Sequence, residues 1–202
     1  MTPEPRRGIA RDPRIQFLRG FLKSPKEVGS IVPSSRFLER RIVRSSGIPR
    51  ARVVVELGPG TGGTTRALLR AMAPEARLLA IEINPRFARL LRSEISDARL
   101  VVHEGSAAEI DEALAAHGLP APDVILSGIP FSTMKRADGI AILRAAHAAL
   151  APGGRFVAYQ VRDRVEILGR QVFGPASVQV ELLNVPPMRV YRWDKASHPP
   201  GS

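Results

Sequence analysis

Residues 53–62 read Val53-Val54-Val55-Glu56-Leu57-Gly58-Pro59-Gly60-Thr61-Gly62. Three consecutive β-branched residues favour a buried strand, which Glu56 and Leu57 complete. The alternate glycines then make a turn that no side chain crowds. Thr61 or Thr64 is placed to cap a helix that begins close by, and Thr65 to Met72 supplies good helix formers. A strand, a glycine turn and a helix N-terminus together let a ligand lie against bare backbone. A nicotinamide or flavin site would show the G-x-G-x-x-G spacing, and a P-loop would end in Lys-Ser/Thr. Here the glycines fall at 58, 60 and 62 with an acid two positions before the first. The stretch therefore predicts a nucleotide-like cofactor of another kind.

Outward from this point the chain alternates regularly. Strands are expected near 52–57, 78–82, 99–103, 123–127 and 154–161, and helices near 62–72, 85–95, 106–117, 133–150 and 163–172. That order predicts an α/β fold, a mostly parallel sheet with helices on both faces. Two further strands, 176–185 and 188–193, flank a short turn at Val185-Pro186-Pro187-Met188. The second strand, Leu78-Leu79-Ala80-Ile81-Glu82, ends on an acid. A carboxylate there can accept both protons of a diol.

Glu56 to Gly62 resembles the first motif of the S-adenosylmethionine-dependent methyltransferases with a Rossmann-like fold. The resemblance implies a seven-stranded class I sheet whose last strand runs antiparallel. It implies S-adenosyl-L-methionine as cofactor and S-adenosyl-L-homocysteine as product. Glu56, Gly58, Gly60, Thr61 and Gly62 would meet the methionine part. Glu82, with Ile83 beside it, would bind the ribose hydroxyls. Gly105 and Ser106 would lie at the adenine, where the family often carries Gly-Asp; a hydroxyl accepts a hydrogen bond more weakly than a carboxylate. Ser127-Gly128-Ile129-Pro130-Phe131 falls where amino-methylating members keep an Asn/Asp/Ser-x-Pro-aromatic motif. Ser127, counted at the cofactor and at the catalytic site, would accept from the target amine together with a carbonyl held by Ile129 and Pro130. Tyr159 and Tyr191 are the two tyrosines. Tyr159, near the carboxyl end of its strand, is the preferred acceptor or relay, with a packed core tyrosine as the other reading.

The chain has 202 residues, enough for one domain with a sizeable core, and no cysteine, which excludes disulfides, zinc–thiolate sites and thiol catalysis. Four histidines are scattered without metal-ligand spacing. No apolar run approaches the ~20 residues that span a bilayer, and Met1 to Arg14 is polar rather than a signal peptide. The net charge is +11, and residues 1–50 hold 12 Lys+Arg against 4 Asp+Glu. Such a segment suits an anionic partner, nucleic acid or a membrane surface. We divide the chain into a basic helical extension (1–50), a cofactor-binding domain (51–196) and a loose tail (197–202). Within the extension, residues 14–23 are expected to form an amphipathic helix. Ile15, Phe17, Leu18, Phe21 and Leu22 share one face, flanked by Arg14, Arg19 and Lys23. That face suits a lipid interface or packing on the domain. Ser24 is expected to cap a short helix, and Ser34 or Ser35 a basic helix from Arg36 to Ser45.

Phe17 to Leu22, Pro33-Ser34-Ser35-Arg36, Glu56 to Gly62 and Ser127 to Phe131 together resemble the small bacterial phospholipid N-methyltransferases. The resemblance implies stepwise conversion of phosphatidylethanolamine to phosphatidylcholine by an enzyme held peripherally, through basic amphipathic helices, on the cytoplasmic face of the inner membrane. It implies an anionic membrane surface and a phospholipid substrate, and no nucleic acid or protein partner. The alternatives are a ribosomal RNA adenine N6-dimethyltransferase, which usually reads Asn-Leu-Pro-Tyr at the substrate motif, and a non-enzymatic lipid- or nucleic-acid-binding protein with a retained cofactor fold.

Overall fold

The computed structural model describes residues 35–197. The helices expected at 14–23 and after Ser24 lie outside the described residues. Sixteen residues of the extension, 35–50, are described and lead into the sheet. Helix α1 (Arg36–Ser46) is capped by Ser35, whose hydroxyl accepts the Leu38 N–H at 3.2 Å, a cap worth about 1 kcal/mol. It ends at Gly47, in the left-handed conformation that glycine adopts without strain. Leu38, Ile42 and Ile48 are fully buried, so this part of residues 1–50 shares the core of the domain.

Seven strands follow: β1 (Val53–Leu57), β2 (Arg77–Glu82), β3 (Leu100–Glu104), β4 (Val124–Ser127), β5 (Arg155–Gln160), β6 (Ser177–Glu181) and β7 (Met188–Asp194). They form one sheet in the order β3-β2-β1-β4-β5-β7-β6, parallel except for β7, which is antiparallel to both neighbours. The helices between them are α2 (Gly63–Ala71), α3 (Pro85–Glu94), α4 (Ile110–Ala116), α5 (Arg136–Ala149) and α6 (Arg164–Phe173).

Strand alternation divides the apolar residues between two layers. Val54, Leu78, Leu126, Val157 and Val190 pack with α1 and α2. Val55, Leu57, Ile81, Ile125, Phe156 and Trp193 pack with α4, α5 and α6. Cations close three helix C-termini, where unpaired carbonyls favour positive charge. Arg99 donates to the Leu69, Met72 and Ala73 carbonyls behind α2, and Asp97 holds it in place. Lys195 donates to the His147, Ala148 and Leu150 carbonyls of α5. Arg155 bridges the Ser45 carbonyl of α1 and Asp194.

Most predicted boundaries fall within a residue or two of the observed ones. Three differ more. The helix expected from 106 starts at Ile110, because Ser106 accepts the Ala108 N–H and makes a local turn first. The helix expected from 133 starts at Arg136, after a 3-10 turn at Phe131–Thr133. The strand expected to run to 185 stops at Glu181, and residues 182–187 form the turn.

Candidate active site

Chain order reverses direction across the sheet between β1 and β4, and ligands of open α/β sheets bind in the crevice at such a point. The glycine turn and the Ser127–Phe131 stretch both lie there, at the carboxyl ends of those two strands. Gly58, Gly60 and Gly62 all have positive φ, at 71°, 57° and 82°. Their duties differ. A Cβ on Gly58 would come within 3.0 Å of Ile129, and one on Gly62 within 2.7 Å of Leu91, so these two allow close packing. A Cβ on Gly60 meets no atom within 4 Å. At that position the protein presents bare backbone and leaves room for a ligand. Gly62 is itself the N-cap of α2, with no side-chain cap. The expected cap from Thr61 or Thr64 is not made. Thr61 is exposed, and the Thr64 hydroxyl lies 3.1 Å from that of Tyr159.

Two buried carboxylates stand beside the turn. Glu82 accepts the Gly60 N–H at 3.0 Å and the Asn84 N–H at 2.8 Å, one on each oxygen. Burial raises its pKa, against backbone hydrogen bonds from Asn84, Gly60 and Ile83. The carboxylate is thus fixed against the glycine turn with lone pairs left for further donors. Glu56 is fully buried. One oxygen accepts the Thr65 hydroxyl at 2.6 Å, and the other has no partner among the described residues. Burial pushes its pKa to about 7, the Thr65 hydrogen bond opposes this, and the charge of Glu82 adds to it. Gly105 ties in the third strand by donating its N–H to the Glu82 carbonyl at 3.1 Å. Ser106, next along, is half-buried.

The Ser127–Phe131 stretch packs onto this turn. Gly128 donates its N–H to the Leu57 carbonyl at 2.9 Å. Ser127 is fully buried, and its hydroxyl accepts the Ile129 N–H at 3.3 Å. The Ile129 carbonyl accepts from the Gln160 amide, the Pro130 carbonyl accepts the Thr133 hydroxyl at 2.9 Å, and Phe131 is buried in the core. A Cβ on Gly128 would lie 2.6 Å from the Tyr159 hydroxyl and 3.1 Å from the Gly58 carbonyl. The tyrosine oxygen thus sits against Gly128, beside the glycine turn. Burial raises its pKa, with the charge of Glu56 acting the same way and the Thr64 hydroxyl opposing. Tyr191, the other tyrosine, is buried on the opposite layer and stacks on Trp193.

The structure therefore gathers Glu56, Gly58, Gly60, Glu82, Ile129, Pro130 and Tyr159 at one edge of the sheet. Residues 14–23 lie outside the described residues. Sequence reasoning missed Thr64, Thr65, Asn84 and Gln160, which hold Tyr159, Glu56, Glu82 and the Ile129 carbonyl. The signal for Thr65 was its place one turn into the helix after the glycines; Gln160 showed as a polar residue ending an apolar strand. Two histidines scattered in sequence also meet, His103 Nδ1 and His117 Nε2 being 3.3 Å apart. No cluster of three or more metal-ligating side chains occurs among the described residues.

This edge offers a buried carboxylate with lone pairs to spare at Glu82 and bare backbone with room beside it at Gly60. The strand order is that of the class I S-adenosylmethionine-dependent methyltransferases. Comparison with known proteins agrees: residues 55–156 match the family described as methyltransferase domain, and the chain belongs to that family. It is 33% identical to the ornithine lipid N-methyltransferase of Singulisphaera acidiphila, over 87% of this chain and 92% of that protein. It is 41% identical to ribosomal RNA small subunit methyltransferase A of Caulobacter vibrioides, over 46% of this chain and 34% of that protein. A solved T. thermophilus 16S rRNA methyltransferase, in complex with AdoMet and guanosine, superposes with a TM-score of 0.61 at 25% identity, covering 83% of this chain and 44% of that one. The protein is an S-adenosylmethionine-dependent methyltransferase.

Proposed function

We propose that this enzyme methylates the amine of a membrane lipid headgroup, with phosphatidylethanolamine and its mono- and dimethyl forms taken toward phosphatidylcholine, and ornithine lipid as the other amine substrate to compare. The observation that carries the reading is the reach of the match to the ornithine lipid N-methyltransferase, which runs through 87% of the chain. The match to the ribosomal RNA enzyme named above covers 46%. No helix among the described residues is long and apolar enough to cross a membrane, so the lipid would be met from the surface.

Bound S-adenosylmethionine supplies an electrophilic methyl group on a sulfonium. Methyl transfer from it asks the protein mainly for positioning. Glu82 and the Gly60 backbone would hold the cofactor, with Glu56 facing its charged end. The amine must arrive neutral, and leaving water for this partly buried edge favours its neutral form. Where related motifs place an Asn, Asp or Ser side chain, this chain has Gly128, and the Tyr159 hydroxyl fills the space a side chain there would need. In this reading Tyr159 donates to Thr64 and turns a lone pair toward the amine. The Ile129 carbonyl already accepts from Gln160 and the Phe131 N–H, and the Pro130 carbonyl from the Thr133 hydroxyl and N–H, so an amine hydrogen there would share one of these acceptors. Ser127 supports the stretch by fixing the Ile129 N–H. With its pKa raised, Tyr159 stays protonated at neutral pH and serves as an acceptor that orients the amine, not as the base.

Expression in a host that lacks phosphatidylcholine, followed by mass analysis of the lipid extract, tests the reading. Methylated forms of phosphatidylethanolamine or ornithine lipid are expected. An unchanged lipid profile alongside newly methylated ribosomal RNA would overturn it.

A further inference from the structure

The turn between β6 and β7 is built inside out. Its polar residues face inward and its apolar ones face water. Glu181 is buried, accepts the Leu183 N–H at 3.0 Å and pairs with Arg41 at 2.7 Å. Asn184 is buried as well, donates to the Pro186 carbonyl at 2.9 Å and accepts the Ser35 N–H at 3.1 Å. With those bonds made, Leu182, Leu183 and Val185 are 71%, 63% and 81% exposed, and Pro186 and Pro187 are exposed beside them. Hairpin turns are ordinarily polar at such positions.

Helix α1 extends the apolar surface. Ser45 meets Gln179 and Arg41 meets Glu181, so the helix and β6 run alongside each other. One turn further back on the same face stands Phe37, 42% exposed, beside the hairpin turn. Val178 and Val180, which alternate with Gln179 and Glu181, are exposed on the other face of β6. Exposed apolar patches such as the turn with Phe37 beside it mark interaction sites.

Three observations choose the occupant. The turn follows β6 and precedes β7, whose start pairs with the end of β5, so it projects from the edge of the sheet that carries Tyr159 and Gly128. Arginines border it: Arg36, Arg40 and Arg44 form an exposed ridge on α1, and Arg189 is exposed at the foot of the turn. The chain also enters here, because Ser35 is bonded to Asn184 and the 34 residues before it carry 7 Lys+Arg against 3 Asp+Glu. Apolar side chains ringed by arginine on the substrate side suit an anionic bilayer.

Building on the amine-lipid reading above, we infer that the Leu182–Pro187 turn, with Phe37 beside it, is a membrane wedge that inserts into the headgroup boundary of an anionic bilayer and sets the active-site edge against the lipid surface.

The absence of cysteine makes a clean probe. Leu183→Cys, labelled with an environment-sensitive dye, is mixed with vesicles of equal phosphatidylglycerol and phosphatidylethanolamine that carry acyl-chain spin labels. A blue shift with quenching is expected. No change on vesicle binding, or a dye already shielded in the vesicle-free protein by the chain's own N-terminal segment or by a second copy, would overturn the inference. In parallel, the triple variant Leu182→Ser, Leu183→Ser, Val185→Ser should lose at least about tenfold in partitioning to those vesicles, because each buried side chain contributes apolar area. Turnover on vesicle-borne amine lipid should fall with it. Cofactor affinity and turnover on short-chain monomeric phosphatidylethanolamine should stay within about twofold. Wild-type partitioning and bilayer turnover in that variant would defeat the wedge and leave the amine-lipid reading standing. A wild-type enzyme that methylates neither form of the lipid would overturn that reading and the wedge with it.

Discussion

At the carboxyl end of β1, the proposed cofactor site is made by seven consecutive residues, Glu56 to Gly62, with Glu82 one strand away. At the carboxyl end of β4, the proposed substrate site is made by pieces far apart in the chain. Gly128 touches Tyr159 across 31 positions, and Tyr159 reaches Thr64 across 95. The cofactor end is thus written locally, as a strand that must end in bare backbone. The substrate end exists only once α2, β4 and β5 are packed together. The difference predicts that changes at the first end act on cofactor binding, and changes at the second on turnover.

The largest effect should follow Gly60→Val. A branched side chain at φ 57° is strained and fills the room beside the turn. We expect at least about a hundredfold loss of S-adenosylmethionine affinity by calorimetry, with the circular dichroism spectrum kept. Binding at wild-type strength would mean that the ligand lies away from this turn.

Next comes Glu56. Its pKa is raised to about 7, so the folded protein binds a proton there that the unfolded chain releases near 4.5. Stability from this group is fully present below pH 4.5 and is lost as pH rises to about 7. The loss is about 3 kcal/mol. Glu56→Gln should lack this slope, and the difference between the urea stabilities of the two proteins at pH 5 and pH 8 isolates it from the paired carboxylates Asp97 and Glu181, whose pKa values are lowered. Equal pH dependence in both proteins would remove the buried, desolvated carboxylate from the account.

Glu82→Gln should weaken cofactor binding by about tenfold to a hundredfold, since a hydrogen bond to a charged group is worth about 1.5–3 kcal/mol. The KM for lipid should stay unchanged. A variant that raises the lipid KM instead would erase the division between the two ends.

These effects also show what the residues declare in advance. Glu56, the three glycines and Glu82 were legible because strand, turn and acid are neighbours in sequence. The strands around them were legible because β-branched runs between glycines and prolines leave few other choices. The substrate end was less so. Tyr159 was singled out by its place on a strand, but nothing in the sequence pairs it with Gly128. Ser127 reads as an acceptor for the target amine, and in the structure its hydroxyl accepts the Ile129 N–H. Leu182 and Leu183 read as strand because apolar residues normally continue a sheet. Glu181 and Asn184 end it by holding the turn's backbone and leave the leucines in water.

The smallest effect expected is from Tyr159→Phe, which keeps the ring and removes one neutral hydrogen bond. About 0.5–1.5 kcal/mol should appear in kcat, a fall of severalfold, with cofactor affinity unchanged. A rise in the cofactor dissociation constant with kcat intact would move Tyr159 to the other end of the site.

The central claim, that the methyl group goes to a lipid amine, is tested most directly with the purified full chain and methyl-labelled S-adenosylmethionine. The protein is given, side by side, vesicles of phosphatidylethanolamine, vesicles of ornithine lipid and small-subunit ribosomal RNA. The account predicts label in the amine lipid and none above background in RNA. Label in RNA with both lipids unmodified would contradict it.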